Sequence, residues 1–313
     1  MSTEPGERRQ LINLAYRLLG SLADAEDVVQ ETYARWYAMS PDQRDTIDSP
    51  AAWLTTVASR VCLDLLRSAR VRRESYVGEW VPEPVPDHTE WAGMPVDPAD
   101  RVTLDESVSM AFLVVLESMT PAERVAFVLH DVFRYPFAEV AQIVGRTPAA
   151  CRQLASSARR RVGASRAPVT PAARRAEVVR EFSQAWAAGD ISALVGLLDP
   201  NVTATGDGGG LASAVLRPVE GAEPVARLFV ELASKVGGDM AVLERSVNGQ
   251  PGLVVRPGDG SVSVMAFEVA DDRITHIWTV RNPEKLRPWP TGAPGAAVSN
   301  GGGSVGERRS PPN

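Results

Sequence analysis

At 313 residues with 44% hydrophobic side chains, the chain is long enough for two or three domains that each bury a core, and no apolar run approaches the roughly 20 residues of a membrane span. Two cysteines, Cys62 and Cys151, leave no disulfide framework or four-ligand zinc site, and "MSTEPGERRQ" lacks the apolar stretch of a secretory signal, so a reducing, cytoplasmic location is expected. The net charge of −6 would argue against nucleic acid if it were evenly spread, but it is not.

Residues 7–73 read as helices. Apolar positions recur at steps of three and four: Leu11, Leu14, Leu18; Leu22, Ala25, Val29, Trp36; Trp53, Val57, Val61, Leu65. Ser49-Pro50 supplies a helix start. In "DAEDVVQETYARWY" (24–37), Asp24, Asp27, Glu31 and Arg35 share one face. Ser21 with Asp24 has capping-box spacing, and first-turn acids suit the helix dipole. That account does not reach Glu31, two turns in and at the repulsive i,i+4 spacing from Asp27. An acidic face excludes DNA as its partner and suits a basic protein surface. The next helix is followed by arginine: Arg60, Arg67, Arg70, Arg72 and Arg73 stand against Asp64 alone, a pattern suited to phosphate. Trp53 faces either the core or an unstacked base.

From Glu74 to Asp100 the sign reverses, with seven acids and no Lys or Arg. Five prolines make "VGEWVPEPVPDHTEWAGMPVDP" an extended linker, and its two tryptophans imply that part of it docks. Helical periodicity resumes from about Ala99 to Val162. Thr120, Pro121 and Glu123 form a capping-box start. Gly145 ends one helix in a left-handed turn and Thr147-Pro148 begins the next, a helix-turn-helix. In that second helix Cys151, Leu154, Ala155, Ala158 and Val162 form the core face. Ala149, Arg152, Gln153, Ser156 and Arg160 lie opposite, where Arg and Gln can bond base edges; Arg159 to Arg161 suit phosphates.

"APVTPAA" is a second linker. Helices at about 172–188, 191–198 and 222–235 precede strand-like runs "AVLERSV", "GLVVRP", "SVSVMAFEVA" and "RITHIWTVR", separated by Asn248-Gly249, Asp259-Gly260 and Asp271-Asp272. An α+β domain with a curved antiparallel sheet is expected. From Pro288 onward Gly and Pro supply 11 of 26 residues, so no core can form there.

"DAEDVVQETYARWY", "AAWLTTVASRVCLDLLRSARVRR" and the 137–162 helix-turn-helix resemble the two domains of bacterial extracytoplasmic-function (ECF) RNA polymerase sigma factors. The resemblance implies that Asp24, Asp27, Gln30, Glu31 and Arg35 dock on the β′ clamp helices of RNA polymerase core. It implies promoter DNA as the second partner: the first domain, with Arg60, Arg67 and Arg70, opens the −10 element. The second reads the −35 element through Thr147, Ala149, Arg152, Gln153, Ser156, Arg159 and Arg160. One departure is that the family usually has Arg-Asn where this chain has Ser59-Arg60. The remainder resembles the SigJ-type subgroup, in which a SnoaL-like domain is fused behind the sigma domains and regulates them. The matching stretches are "WVPEP" (80–84), "DGGG" (207–210) and "NPEKL" (282–286), which puts Trp80, Pro82, Glu83, Pro84, Asp207, Gly208, Gly209, Gly210, Asn282 and Pro283 at a regulatory interface.

The expected architecture is therefore multidomain. Two all-α sigma domains occupy 7–75 (region 2) and 99–165 (region 4), joined by an acidic linker at 76–98. An α+β SnoaL-like domain follows at 172–287, with a disordered tail at 288–313. No cofactor, metal or catalytic centre is expected. The alternative gives the SnoaL-like domain a small ligand or cyclase/isomerase chemistry, which wants a carboxylate with a Tyr or His. All five tyrosines precede residue 136, leaving Asp207 with His276 as the conceivable pair.

Overall fold

The computed structural model describes residues 5–74, 76–86, 108–164, 170–236 and 240–289. The expected helix onset at 99–107, residues 167–169 of the second linker, Trp91 and the tail from 290 lie outside the described residues, as do the side chains of Arg70, Arg72 and Arg73.

The N-terminal region is built of α1 (Pro5–Leu19), α2 (Leu22–Ala38), the short α3 (Pro41–Asp45) and α4 (Pro50–Glu74). Gly20 closes α1 at φ 69°, a left-handed position that glycine adopts without strain, and Ser21 caps α2 by accepting from Asp24 N. After the linker come α5 (Met110–Glu117), α6 (Pro121–Phe127) with a π turn at Val128–Val132, α7 (Phe137–Val144) and α8 (Pro148–Ala164). Thr120 and Glu123 form the expected reciprocal cap of α6. Gly145 stands at φ 71°, and Thr147 accepts from Ala150 N at 3.2 Å, so the helix-turn-helix is formed.

One apolar core runs through both helical regions. Tyr16, Leu18, Val28, Ala58 and Cys62 belong to the same buried cluster as Leu113, Leu129, Val140 and Cys151. Arg124 is 2% exposed and joins the two by donating to Leu18 O (2.8 Å) and to Glu117 (2.7 Å). Burial pulls its pKa down to about 10. Trp53 packs on Trp36 at 5.2 Å against this core, and both thiols are buried with their pKa values pushed up, which makes them inert core residues.

The C-terminal region runs α9 (Ala172–Ala187), α10 (Ile191–Leu197), β1 (Leu198–Asp207), β2 (Val219–Glu220), α11 (Ala222–Val236), β3 (Met240–Val247), β4 (Gln250–Pro257), β5 (Ser263–Ala270) and β6 (Arg273–Val280). The six strands lie in the order β2-β1-β6-β5-β4-β3. All pairs are antiparallel except β1–β6, so the sheet is mixed rather than purely antiparallel. The three expected hairpins form, with Asn248, Gly249, Gly260, Asp271 and Asp272 at positive φ. The helices cover one sheet face over Phe182, Trp186, Phe229 and Phe267, whose rings pack edge-to-face or tilted. The other face carries Val254, Val264, Ala266 and Trp278, covered by Val81 of the linker and by Met110 and Val114 of α5.

Candidate functional sites

On α2, Asp27, Gln30, Glu31 and Arg35 are exposed and Asp24 is half-buried. Glu31 has a local partner after all: Arg35 reaches its carboxylate at 2.6 Å. Both side chains are about half exposed, so the pair itself contributes little, and the unbalanced charge of the face rests on Asp24 and Asp27.

Members of the two basic blocks meet in one cleft. Arg67 of α4 lines a cleft of about 710 Å³ with Arg146, Gln153, Ser157 and Arg160, beside Thr120 and Pro121. Arg60 donates to Gln142 O at 3.3 Å across the same junction, and Arg67 also reaches Asp64 at 3.2 Å. Thr147, Ala149, Arg152, Gln153, Ser156, Arg159 and Arg160 are all exposed. Arg152 lies over the Phe137 ring at 5.7 Å, and Arg159 is tied to Asp131 at 2.6 Å. Ser59 is fully buried, which leaves Arg60 as the exposed member of that pair.

The third site is a grip on the linker. Residues 76–86 cross the C-terminal domain after a bend at Val77 and Gly78, with Val81 to Pro86 buried. Asp207, at the end of β1, is wholly buried. Its Oδ1 accepts from the Tyr76 hydroxyl (2.6 Å), and its Oδ2 accepts from Val81 N (2.9 Å) and from Lys285 Nζ (2.6 Å). Lys285 also donates to Val81 O (2.6 Å) and sits 4.0 Å from the Trp80 ring centroid, a cation–π contact. The Asn282 amide donates to the Tyr76 hydroxyl at 2.9 Å. Gly209, at φ 60°, packs so closely here that a Cβ would overlap the Asn282 amide, which is why this loop is glycine-rich. Gly208 and Gly210 complete the turn; Pro283 is exposed in its own turn, where its carbonyl accepts from Leu286 N. Further along, Trp289 Nε1 donates to Pro84 O (2.9 Å), although its position reads from composition as the start of a structureless tail.

Asp207 and His276 are not brought together. Asp207 pairs in register with Val280, whereas His276 pairs with Thr203, stacks on Trp278 and meets Glu268 at 3.1 Å. Sequence reasoning missed Tyr76, Lys285, Asn248, Tyr16 and Trp289. Lys285 stood inside "NPEKL"; the others carried only core or turn signals.

The helix-turn-helix, the basic α4 and the acidic α2 define a promoter-recognition factor of the sigma-70 class. Residues 7–72 match Sigma-70 region 2, and residues 109–162 match Sigma-70 region 4. The chain belongs to the ECF RNA polymerase sigma factors, a family of transcription initiation factors and not of enzymes. It is 43% identical to the ECF RNA polymerase sigma factor SigJ of Mycobacterium tuberculosis, over 92% of each chain. It is 36% identical to the probable ECF sigma factor SigI of the same species, over 90% of this chain and 92% of the relative. The crystal structure of SigJ superposes with a TM-score of 0.74 at 40% identity, covering 92% of this chain and 98% of that one. Among the described residues no helix is long and apolar enough to cross a membrane.

Proposed function

We propose that this sigma factor is held closed by its own C-terminal α+β domain, which regulates promoter engagement by gripping the linker. α2 docks on the β′ clamp helices through Asp24, Asp27, Gln30, Glu31 and Arg35, in the cytoplasm where polymerase works. Region 2 opens the −10 element and α8 reads the −35 element, so the two regions must part to span a promoter. The observation that carries the reading is the buried Asp207–Lys285 pair closed around the Val81 peptide and the Trp80 ring. It lies on the segment that joins the two DNA-binding regions, while Arg67, Gln153 and Arg160 are turned into one cleft. A small ligand or catalysis in the C-terminal domain is less well supported: the space between helices and sheet is filled by Phe182, Trp186, Phe229 and Phe267, and Asp207 is fully engaged with the linker.

Asp207→Asn keeps the shape and leaves Lys285 buried without its counter-charge, a loss on the order of 3–5 kcal/mol for a broken buried pair. In run-off transcription with purified core polymerase the substitution changes promoter output several-fold, and Trp80→Ala changes it in the same direction. Native output from both variants would remove the regulatory reading.

A further inference from the structure

The grip described above holds the linker, and leaves open how the C-terminal domain could speak to the polymerase-docking helix. A second set of buried contacts supplies that path. The tip of the β3–β4 hairpin is Asn248, 2% exposed and held at φ 52°. Its backbone N donates to Val85 O at 2.8 Å, and its Oδ1 accepts from Val85 N at 3.2 Å, so the linker is pinned here as if to a third strand. Pro86 forms a bridge with Val247 just beyond. The Asn248 Nδ2 then passes through the linker to region 2, donating to the hydroxyl of Tyr16, 232 residues away in sequence, at 2.7 Å.

Tyr16 is wholly buried in α1, and its hydroxyl donates to Glu83 O at 2.7 Å. Burial pushes the pKa of that phenol far up, so the group stays protonated and remains a donor. Glu83 in turn meets the start of α2. Its backbone N donates to Gly20 O (2.8 Å), and its Oε2 accepts from Leu22 N (2.7 Å). Ala23 N and the Ser21 side chain also bond its carboxylate. The first N–H groups of a helix have no partners within the helix itself. In α2 Ser21 serves Asp24 N, and the linker's Glu83 serves the two amides before it.

We propose that Tyr16 and Asn248 are positioning residues for α2: through Glu83 they hold the linker carboxylate that caps the N-terminus of the polymerase-docking helix. The C-terminal domain thereby supports core binding while it restrains promoter reading. Asp27, Gln30, Glu31 and Arg35 remain exposed in the closed form, so the domain does not act by covering them. The inference rests on the reading of α2 as the docking helix and of the C-terminal domain as a regulator.

Three full-length variants test it. Tyr16→Phe removes one hydroxyl and keeps the ring in its core. Asn248→Gly keeps the left-handed turn and removes both side-chain bonds. Asp207→Asn probes the other grip. Hydrogen exchange at the Leu22 and Ala23 amides and affinity for purified RNA polymerase core are measured for each, with melting temperature as a check on the fold. The expected result for Tyr16→Phe and for Asn248→Gly is at least tenfold faster exchange at those two amides, relative to the amides of α8. Core affinity falls three- to tenfold, and the double variant is no worse than either single one. Native exchange and native core affinity in both variants would overturn the inference. If Asp207→Asn still altered transcription in that case, the regulatory reading would survive without it. If Asp207→Asn left transcription native while the relay variants lost core affinity, the relay would stand and the regulatory reading would fall.

Discussion

Glu83 is a single side chain through which the stability of the fold depends on pH. It is 4% exposed, and desolvation raises its pKa from 4.5 to about 7 despite bonds from Leu22 N, Ala23 N and Ser21 and the charge of Lys285, all of which pull it down. Folded Glu83 therefore keeps its proton to higher pH than it would in the unfolded chain. Its contribution to stability is full below pH 4.5 and is lost as the pH climbs to about 7, a change of about 3 kcal/mol. Glu83→Gln retains an oxygen acceptor for Leu22 N and cannot ionise. Thermal unfolding followed by circular dichroism from pH 5 to pH 8 should show a flatter pH dependence in the variant, with its advantage over the native chain growing toward pH 8. An unchanged slope would mean that Glu83 is not the group responsible. Asp207 and Glu83 were legible only through the resemblance of "DGGG" and "WVPEP" to the SigJ-type subgroup, whereas Trp80 also stood out as a tryptophan in a proline-rich linker. Tyr16 was not: a tyrosine at helical spacing among leucines reads as core, and its hydroxyl partner is fixed only by tertiary packing.

At the scale of elements, α8 carries the clearest functional geometry. Arg152 and Gln153 are exposed on the face away from Cys151, Ala155 and Ala158, with Arg160 two turns along. Arg152→Ala should relax selectivity at one base pair of the upstream element by about 1–3 kcal/mol. Arg160→Ala should weaken binding to every sequence and reduce the salt dependence by about one unit of slope. Titration of specific and random duplexes at two salt concentrations separates them; equal effects on both duplexes would show that the face is misassigned. Most elements were readable because their boundaries carry local chemistry: Thr120-Pro121, Gly145, Thr147-Pro148 and Asn248-Gly249 each state a cap or turn that forms as expected. β1 was not, since Pro200 and Asn201 interrupt its pattern and its partner β6 lies some 70 residues on in parallel register. Nor did any local signal announce the π turn at Val128–Val132. The local account of the α2 acid stripe was incomplete for a different reason: Arg35 was placed on the same face, but its i,i+4 pairing with Glu31 was not drawn.

For the whole molecule, composition pointed to separate domains on linkers, and the structure packs them together. Regions 2 and 4 share one apolar core, α5 lies on the outer face of the sheet, and the linker is sandwiched between the sheet and α1. No sequence pattern announces such packing, because each contact joins segments that are each self-consistent alone. The proposed closed form, taken as a two-state element, needs about 5.5 kcal/mol of differential contact to move from 1:99 to 99:1. Asp207→Asn is expected to cost on the order of 3–5 kcal/mol, because it leaves Lys285 buried without its counter-charge. The most direct test is the distance between a spin label on α2 and one on α8, attached through introduced surface cysteines because Cys62 and Cys151 are buried. Pulsed dipolar spectroscopy on the free full-length chain should give a single short distance, and Asp207→Asn should add a longer population that becomes a major fraction of the molecules. A native and an Asp207→Asn chain with the same short distribution would contradict the claim that this grip holds the sigma factor closed.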